Sequence, residues 1–364
     1  MIPDFRAVVP AGGAGTRLWP LSRAGSPKFL HDLTGTGRSL IQATVDRLLP
    51  LTGPQGIVVV TGTRHREAVT AQLPELDAGA VIAEPSPKDS MAAIGLAAAV
   101  LLQSEPDVVI GSFAADHVIE GDGFADAVHQ AVATATQGFV VTVGIAATEP
   151  STAFGYVRSG DVLDVPGAPS ARRARGFTEK PDATTAAAYL ATGEYRWNAG
   201  MFVVRAQVLL DHLARLNPPL HEGLMAIAEA WHSDLRASAL ERYWPHLPTV
   251  AIDRAIAEPV AAEGGVAMVP GDFAWHDVGD FASLASLLPA DASGARVLGG
   301  GPVLAIDADR VLAVGTGDRL IAVLGIDDVV VVDTGDALLV TTRHHAQQLK
   351  SVVEAVRERH PDLL

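Results

Sequence analysis

The chain has 364 residues, 48% of them hydrophobic, enough for a large core and for two domains or three. Its 42 acidic against 27 basic residues leave a net charge of −15. That excludes a broad basic face for nucleic acid and makes any anionic substrate depend on a local basic site. There is no cysteine, hence no disulfide framework and no thiolate metal site. The opening residues show no basic segment leading into an apolar stretch, and no apolar run reaches the length of a membrane span. A cytoplasmic protein with no membrane or nucleic-acid partner is expected.

In chain order, Ala7-Val8-Val9 predicts a first buried strand running into a glycine-rich loop. Further buried strands are predicted at 57–60, 80–83, 108–110 and 139–143, with helices at 39–49, 64–73, 90–102 and 124–136. This alternation implies βαβ units and a mostly parallel α/β sheet, whose ligands bind at the carboxyl ends of the strands. Strands at 154–157, 177–178 and 201–204, a helix at 183–191 and a helical stretch over 206–241 follow. Residues 289–295 read as a linker. After them come five short apolar runs, at 303–306, 310–314, 320–324, 329–332 and 337–340. Their even spacing predicts a repeating all-β module, closed by a helix over 344–359. The expected division is a catalytic domain over 1–288 and an assembly module over 296–364.

The first chemical signal is Ala11-Gly12-Gly13-Ala14-Gly15-Thr16-Arg17-Leu18-Trp19-Pro20-Leu21, with Pro27-Lys28 beyond it. A loop without side chains over its turn lets backbone N–H groups approach phosphate oxygens, and Arg17 and Lys28 add positive charge. Leu18 stands where a dinucleotide fingerprint needs a small residue, and no Gly-Lys-Ser/Thr follows to make a Walker A loop. Asp116 follows the 108–110 strand in Ala115-Asp116-His117, and Asp277 lies in Trp275-His276-Asp277-Val278-Gly279. Two such carboxylates suffice for Mg²⁺ beside substrate phosphates. The same ion's preference for oxygen leaves His117 and His276 as neighbours rather than ligands. Phe177-Thr178-Glu179-Lys180-Pro181 and Trp197-Asn198-Ala199-Gly200 set polar groups in apolar strands, with Phe154-Gly155-Tyr156 as a loop suited to the same site. Such groups match the hydroxyls and phosphate of a sugar phosphate. Glu84 and Asp89 flank Pro85-Ser86-Pro87-Lys88 just before Ser90. A carboxylate there can accept both donors of a guanine edge, or Asp89 can cap the helix that follows.

In this order the motifs resemble those of the sugar-1-phosphate nucleotidyltransferases, most closely the mannose-1-phosphate guanylyltransferase branch, over about residues 6–284. The resemblance implies a Rossmann-like nucleotidyltransferase domain, a short left-handed β-helix-like module with a C-terminal helix, Mg²⁺ dependence and homodimers. It also implies transfer of GMP from GTP to mannose 1-phosphate. By matched position it makes Asp116 and Asp277 the metal ligands and Arg17 and Lys28 the phosphate contacts. Ala11, Gly12, Gly13, Gly15, Thr16, Glu84, Asp89 and Ser90 fall on the nucleotide side, and Gly155, Tyr156, Glu179, Lys180 and Asn198 on the sugar-phosphate side. The chain departs from the family at Phe29, across Pro87-Lys88-Asp89-Ser90-Met91, and at Pro259, which ends Asp253-Arg254-Ala255-Ile256-Ala257-Glu258-Pro259. A transferase for another sugar or base is the nearer alternative. A silent nucleotide-sugar sensor is the other, and the presence of Arg17, Lys28, Asp116 and Asp277 argues against it.

Overall fold

The computed structural model describes residues 1–13 and 15–364; Ala14, inside the glycine loop, lies outside the described residues. The chain forms two compact units that interleave along the sequence. One comprises Met1–Gly12, Val45–Ala115 and Ile119–Trp275, the other Gly13–Thr44, Asp116–Val118 and His276–Leu364.

The strands are β1 (Phe5–Ala11), β2 (Ile57–Gly62), β3 (Val81–Glu84), β4 (Val109–Ser112), β5 (Val118–Glu120), β6 (Val140–Ala146), β7 (Gly155–Val162), β8 (Arg172–Thr178), β9 (Tyr195–Arg205), β10 (Val266–Gly271) and β11 (Ala274–His276). In the first unit nine of them, all but β5 and β11, build a sheet of order β3-β2-β1-β4-β9-β6-β10-β8-β7. The pairings among β3, β2, β1 and β4 are parallel, with Val8 opposite Val58 and Ala7 opposite Gly111. Beyond β4 the sheet becomes mixed. Strand β9 runs antiparallel to both β4 and β6. Strands β7 and β8 follow one another with no crossover helix, which leaves them antiparallel.

The helices are α1 (Leu40–Thr52), α2 (Arg66–Gln72), α3 (Asp89–Leu102), α4 (Gly123–Ala135), α5 (Ala183–Thr192), α6 (Ala206–Leu216), α7 (Pro218–Glu229), α8 (Arg236–Tyr243), α9 (Glu258–Ala262), α10 (Phe281–Leu287) and α11 (Leu349–Arg359). Helix α3 is buried at every position from Met91 to Val100, as a helix without a polar face must be. It packs in one core with Val8, Ile110, Phe202, Leu213 and Leu224. The stretch over 206–241 is three helices, because Asn217 ends α6 and its side chain caps α7 through Leu220 N.

In the second unit, β12 (Arg296–Gly299), β14 (Leu312–Gly315), β16 (Val329–Asp333) and β17 (Leu338–Thr342) form one sheet; β13 (Val303–Ile306) and β15 (Ile321–Leu324) form another. Val303 faces Ile321 and Leu312 faces Val330, eighteen residues on in each case. Successive apolar runs therefore alternate between two sheets, in the manner of a β-helix. Along β14 the side chains alternate too. Ala313 joins Val323 and Val331 between the sheets, while Leu312 and Val314 turn to a second core with Leu18, Leu33, Phe281 and Leu349. The segment expected as a linker is an ordered turn in which the Asp291 carboxylate accepts from Ser293 N and Ala295 N. The closing helix begins as a 3-10 turn, Arg343–Gln348, before α11.

Candidate active site

Pro27 delivers Lys28 into a short 3-10 turn, Lys28–Leu30. Its buried ammonium lies 2.9 Å from Asp116 Oδ2 and 3.5 Å from Asp277 Oδ1, and donates to the carbonyls of Asp277 (2.9 Å) and Val278 (3.4 Å). Burial works against this charge, but Asp116 and Asp277 outweigh it and hold the Lys28 pKa above its ordinary value. Burial likewise opposes ionisation of Asp116, yet Lys28 and then His117 bring its carboxyl below the usual range. Candidate ligand atoms of Asp116, His117 and Asp277 all lie within 4.8 Å of one another. Two carboxylates converging on a point now met by an ammonium form the donor set of a hard divalent cation.

Two glycines shape this cluster. Gly15 has φ +59, and a Cβ there would come within 3.1 Å of the Lys28 stem; both favour Gly over any residue with a side chain. Its carbonyl accepts from Ser22 Oγ and from Leu18 N. A Cβ on Gly279 would meet Arg17 Nη2 at 3.3 Å and Asp277 Oδ2 at 3.6 Å, so its bare face borders both. Between Asp277 and Gly279, the fully buried Val278 is held at φ +41. That conformation is costly for a β-branched residue and is kept where the surroundings impose it. Ala11 ends β1 with its carbonyl accepting from Thr61 Oγ1, Gly12 and Gly13 are exposed, and Thr16 opens the turn Thr16–Leu18.

In the other unit, Glu84 ends β3 with Oε2 buried and, among the described residues, unpartnered. Burial pushes its carboxyl up to about 7. Asp89 is exposed, sits at φ +64 and accepts from Ser90 N at 2.7 Å. Its carboxylate thus serves the first turn of α3, and Ser90 Oγ accepts from Ile252 N.

The sugar-side residues converge around Gly155. A Cβ there would lie 2.5 Å from Glu179 Oε2 and 3.4 Å from Asn198 Cβ, so with any larger residue the carboxylate would have to move. Lys180, at φ +47, bonds Glu179 Oε1 at 2.8 Å. Tyr156 departs from expectation. It is fully buried and its hydroxyl donates to the Ser151 carbonyl, which makes it a packing residue rather than a ligand contact. Three residues join that were not named as site residues: Thr142, outside every motif, and Asp253 and Glu258, from the segment that ends at Pro259. Thr142 Oγ1 donates to Asn198 Oδ1 (2.8 Å), Asn198 Nδ2 donates to Asp253 Oδ1 (2.7 Å), and Glu258 Oε1 accepts from Glu179 N (3.1 Å). Asp253 opens a π-helical turn, Asp253–Ala257, a rare geometry found often at functional sites.

A family model described as nucleotidyl transferase matches residues 6–294. The chain belongs to that family. A second, described as the MannoseP isomerase/GMP-like beta-helix domain, matches 301–356. The Xanthan biosynthesis protein XanB of Xanthomonas campestris pv. campestris is 36% identical over 361 residues, covering 97% of this chain and 73% of the relative. The mannose-1-phosphate guanylyltransferase of Escherichia coli K12 is 35% identical over 356 residues, 96% of this chain and 73% of the relative. Among solved structures, one described as a mannose-1-phosphate geranyltransferase from Thermus thermophilus superposes with a TM-score of 0.84 at 30% identity, covering 97% of this chain and 99% of the other. The chain is therefore an α/β nucleotidyltransferase with a β-helix-like module and a terminal helix. Among the described residues no helix is long and apolar enough to cross a membrane.

Proposed function

We propose that the chain transfers GMP from GTP to mannose 1-phosphate, giving GDP-mannose and pyrophosphate. The observation that carries the reaction class is the Lys28–Asp116–Asp277 cluster with Arg17 at its border. Relatives named mannose-1-phosphate guanylyltransferases, such as that of E. coli K12, support the choice of sugar and base. A phosphate oxygen of the sugar phosphate attacks the α-phosphorus, and the bond to the β-phosphate oxygen breaks to release pyrophosphate. The attacking oxygen is already anionic, so no protein base is needed and positioning and charge carry the rate. Arg17 and Lys28 stabilise charge on the departing pyrophosphate. Backbone N–H groups of Ala11, Gly12, Gly13, Gly15 and Thr16 cradle the triphosphate. A divalent cation such as Mg²⁺, held by Asp116 and Asp277, would neutralise phosphate charge when bound.

On the nucleotide side, the free oxygen of Glu84 favours it over Asp89 as acceptor for the guanine N1–H and amine, since Asp89 is engaged at the start of α3. Glu179, Lys180, Asn198 and the open face of Gly155 receive the sugar phosphate. The changeover of the two family models between residues 294 and 301 supports dividing the chain into a catalytic domain over 1–288 and an assembly module over 296–364. A cytoplasmic homodimer belongs to the same proposal, on the family resemblance.

Pyrophosphate release measured over a panel of nucleoside triphosphates and sugar 1-phosphates with Mg²⁺ tests the reading. GTP with mannose 1-phosphate should be the best pair. A better pair of other composition overturns the specificity, and release from no pair overturns the enzyme.

A further inference from the structure

Asn198 is buried on β9 and its amide is almost fully committed. Its oxygen accepts from Thr142 Oγ1 and from Gly200 N, and its nitrogen donates to Asp253 Oδ1. The backbone N–H of Gly200 can only donate, so the amide atom facing it is the oxygen. An ionised carboxylate can only accept, so the atom facing Asp253 is the nitrogen. Both acceptor lone pairs and one N–H are used, which leaves one N–H for a ligand. Asp253 is itself partly accessible. Burial, then the nearby Glu179 charge, pushes its carboxyl up to about 6, against the opposing pull of Asn198 and Lys180. Glu179, held at Oε1 by Lys180, and Asp253 thus stand as neighbouring acceptors beside the Asn198 amide.

We propose that Asp253 is a positioning and specificity-determining residue of the sugar-phosphate pocket: it fixes Asn198 as a one-hydrogen donor and, with Glu179, forms an acceptor wall that takes a neutral hexosyl ring with free hydroxyls and repels a ring bearing a carboxylate. This rests on the assignment of Asn198 and Glu179 to the sugar side. A hydroxyl offered to either carboxylate makes a charge-assisted hydrogen bond. A uronic acid would bring a third anion next to two that already disfavour one another.

The test compares wild type, Asp253→Asn and Asp253→Ala in the full-length protein. Binding by isothermal titration and pyrophosphate release are measured with mannose, glucose, galactose and glucuronic acid 1-phosphates. Asp253→Ala leaves the Asn198 amine without its partner. It should raise the KM for the preferred hexose 1-phosphate about tenfold while kcat and the KM for the nucleotide stay within about threefold. Asp253→Asn can still accept from Asn198, so it should keep hexose affinity within about threefold and narrow discrimination against glucuronic acid 1-phosphate by about tenfold. Equal rises in KM for nucleotide and sugar, or unchanged hexose affinity in Asp253→Ala with unchanged discrimination in Asp253→Asn, overturn the proposal. A wild type that prefers glucose or galactose 1-phosphate overturns the mannose reading instead, and Asp253 is then judged on that sugar.

Discussion

Replacing Lys28 by Met isolates the electrostatics of the Asp116–Asp277 cluster. The ammonium stands 2.9 Å and 3.5 Å from the two carboxylates. At an effective dielectric of about 20, each contact is roughly 5 kcal/mol of gross attraction, most of it offset by the desolvation of three charges. Removing one partner of a buried pair costs about 3–5 kcal/mol. The Asp116 and Asp277 side chains keep 19% and 35% exposure, so water screens part of that loss. The lower end, about 3 kcal/mol, is therefore expected, which at about 2.1 cal/mol/K of unfolding entropy per residue is a fall in Tm of roughly 4 °C for 364 residues. The variant leaves two carboxylates facing one another without a cation, and a divalent ion binding them in the native state alone restores stability by RT ln(1 + [L]/Kd), about 2.7 kcal/mol at a hundredfold excess over Kd. Thermal melts of wild type and Lys28→Met in EDTA and in saturating Mg²⁺ give both quantities. The Mg²⁺-induced rise should be larger in the variant, because wild type already holds a cation there. A variant that melts with the wild type in EDTA, or whose Tm ignores Mg²⁺, refutes the reasoning.

Asp116→Asn and Asp277→Asn should each abolish pyrophosphate release with the fold intact by circular dichroism; near-normal turnover at limiting Mg²⁺ would remove that residue from the metal site. Because Glu84 titrates at about 7 and only its ionised form offers a two-oxygen acceptor, the KM for GTP should rise as pH falls through that value. Glu84→Gln should flatten the profile and narrow the preference for GTP over ATP by about 1–3 kcal/mol. Asp89→Ala should lower Tm by the loss of a first-turn contact while leaving the GTP/ATP ratio in place; a collapsed ratio would assign base reading to Asp89. Truncation after residue 295 should yield an inactive, aggregating protein although no proposed catalytic residue lies beyond that point, because Leu18, Leu33 and Phe281 share a core with Leu312, Val330 and Val332. A soluble, active fragment in gel filtration and the pyrophosphate assay would contradict this.

The strands and helices of the first half were legible because each is an apolar run of one clear period, and the glycine loop because its residues are contiguous. Asp253 was not. It meets Asn198 across 55 residues, and nothing in its local sequence separates a buried partner from an exposed acid. Thr142 reads as one more β-branched strand residue until its hydroxyl is seen against the Asn198 amide. Strand β12 was hidden by the Gly299-Gly300-Gly301 run beside it, and its pairing partner Leu312 lies 16 residues away from Arg296. The split of 206–241 turned on Asn217, a residue equally at home in a helix or at its cap. Tyr156 carried a motif's promise and a core residue's burial, which sequence alone does not separate.

The bond from Trp19 Nε1 to the carbonyl of Leu363 spans 344 positions, and Arg23 grips Asp336 with both ends of its guanidinium at 2.6 Å. These contacts lie in the segment between Arg17 and Lys28. During synthesis, therefore, Arg23 leaves the ribosome 313 residues ahead of the aspartate that holds it. A nascent chain halted short of residue 336 holds every catalytic side chain proposed here and lacks the carboxylate that pairs with Arg23. The segment carrying Arg17 and Lys28 therefore gains its last long-range partners only when residues 336 and 363 have been made.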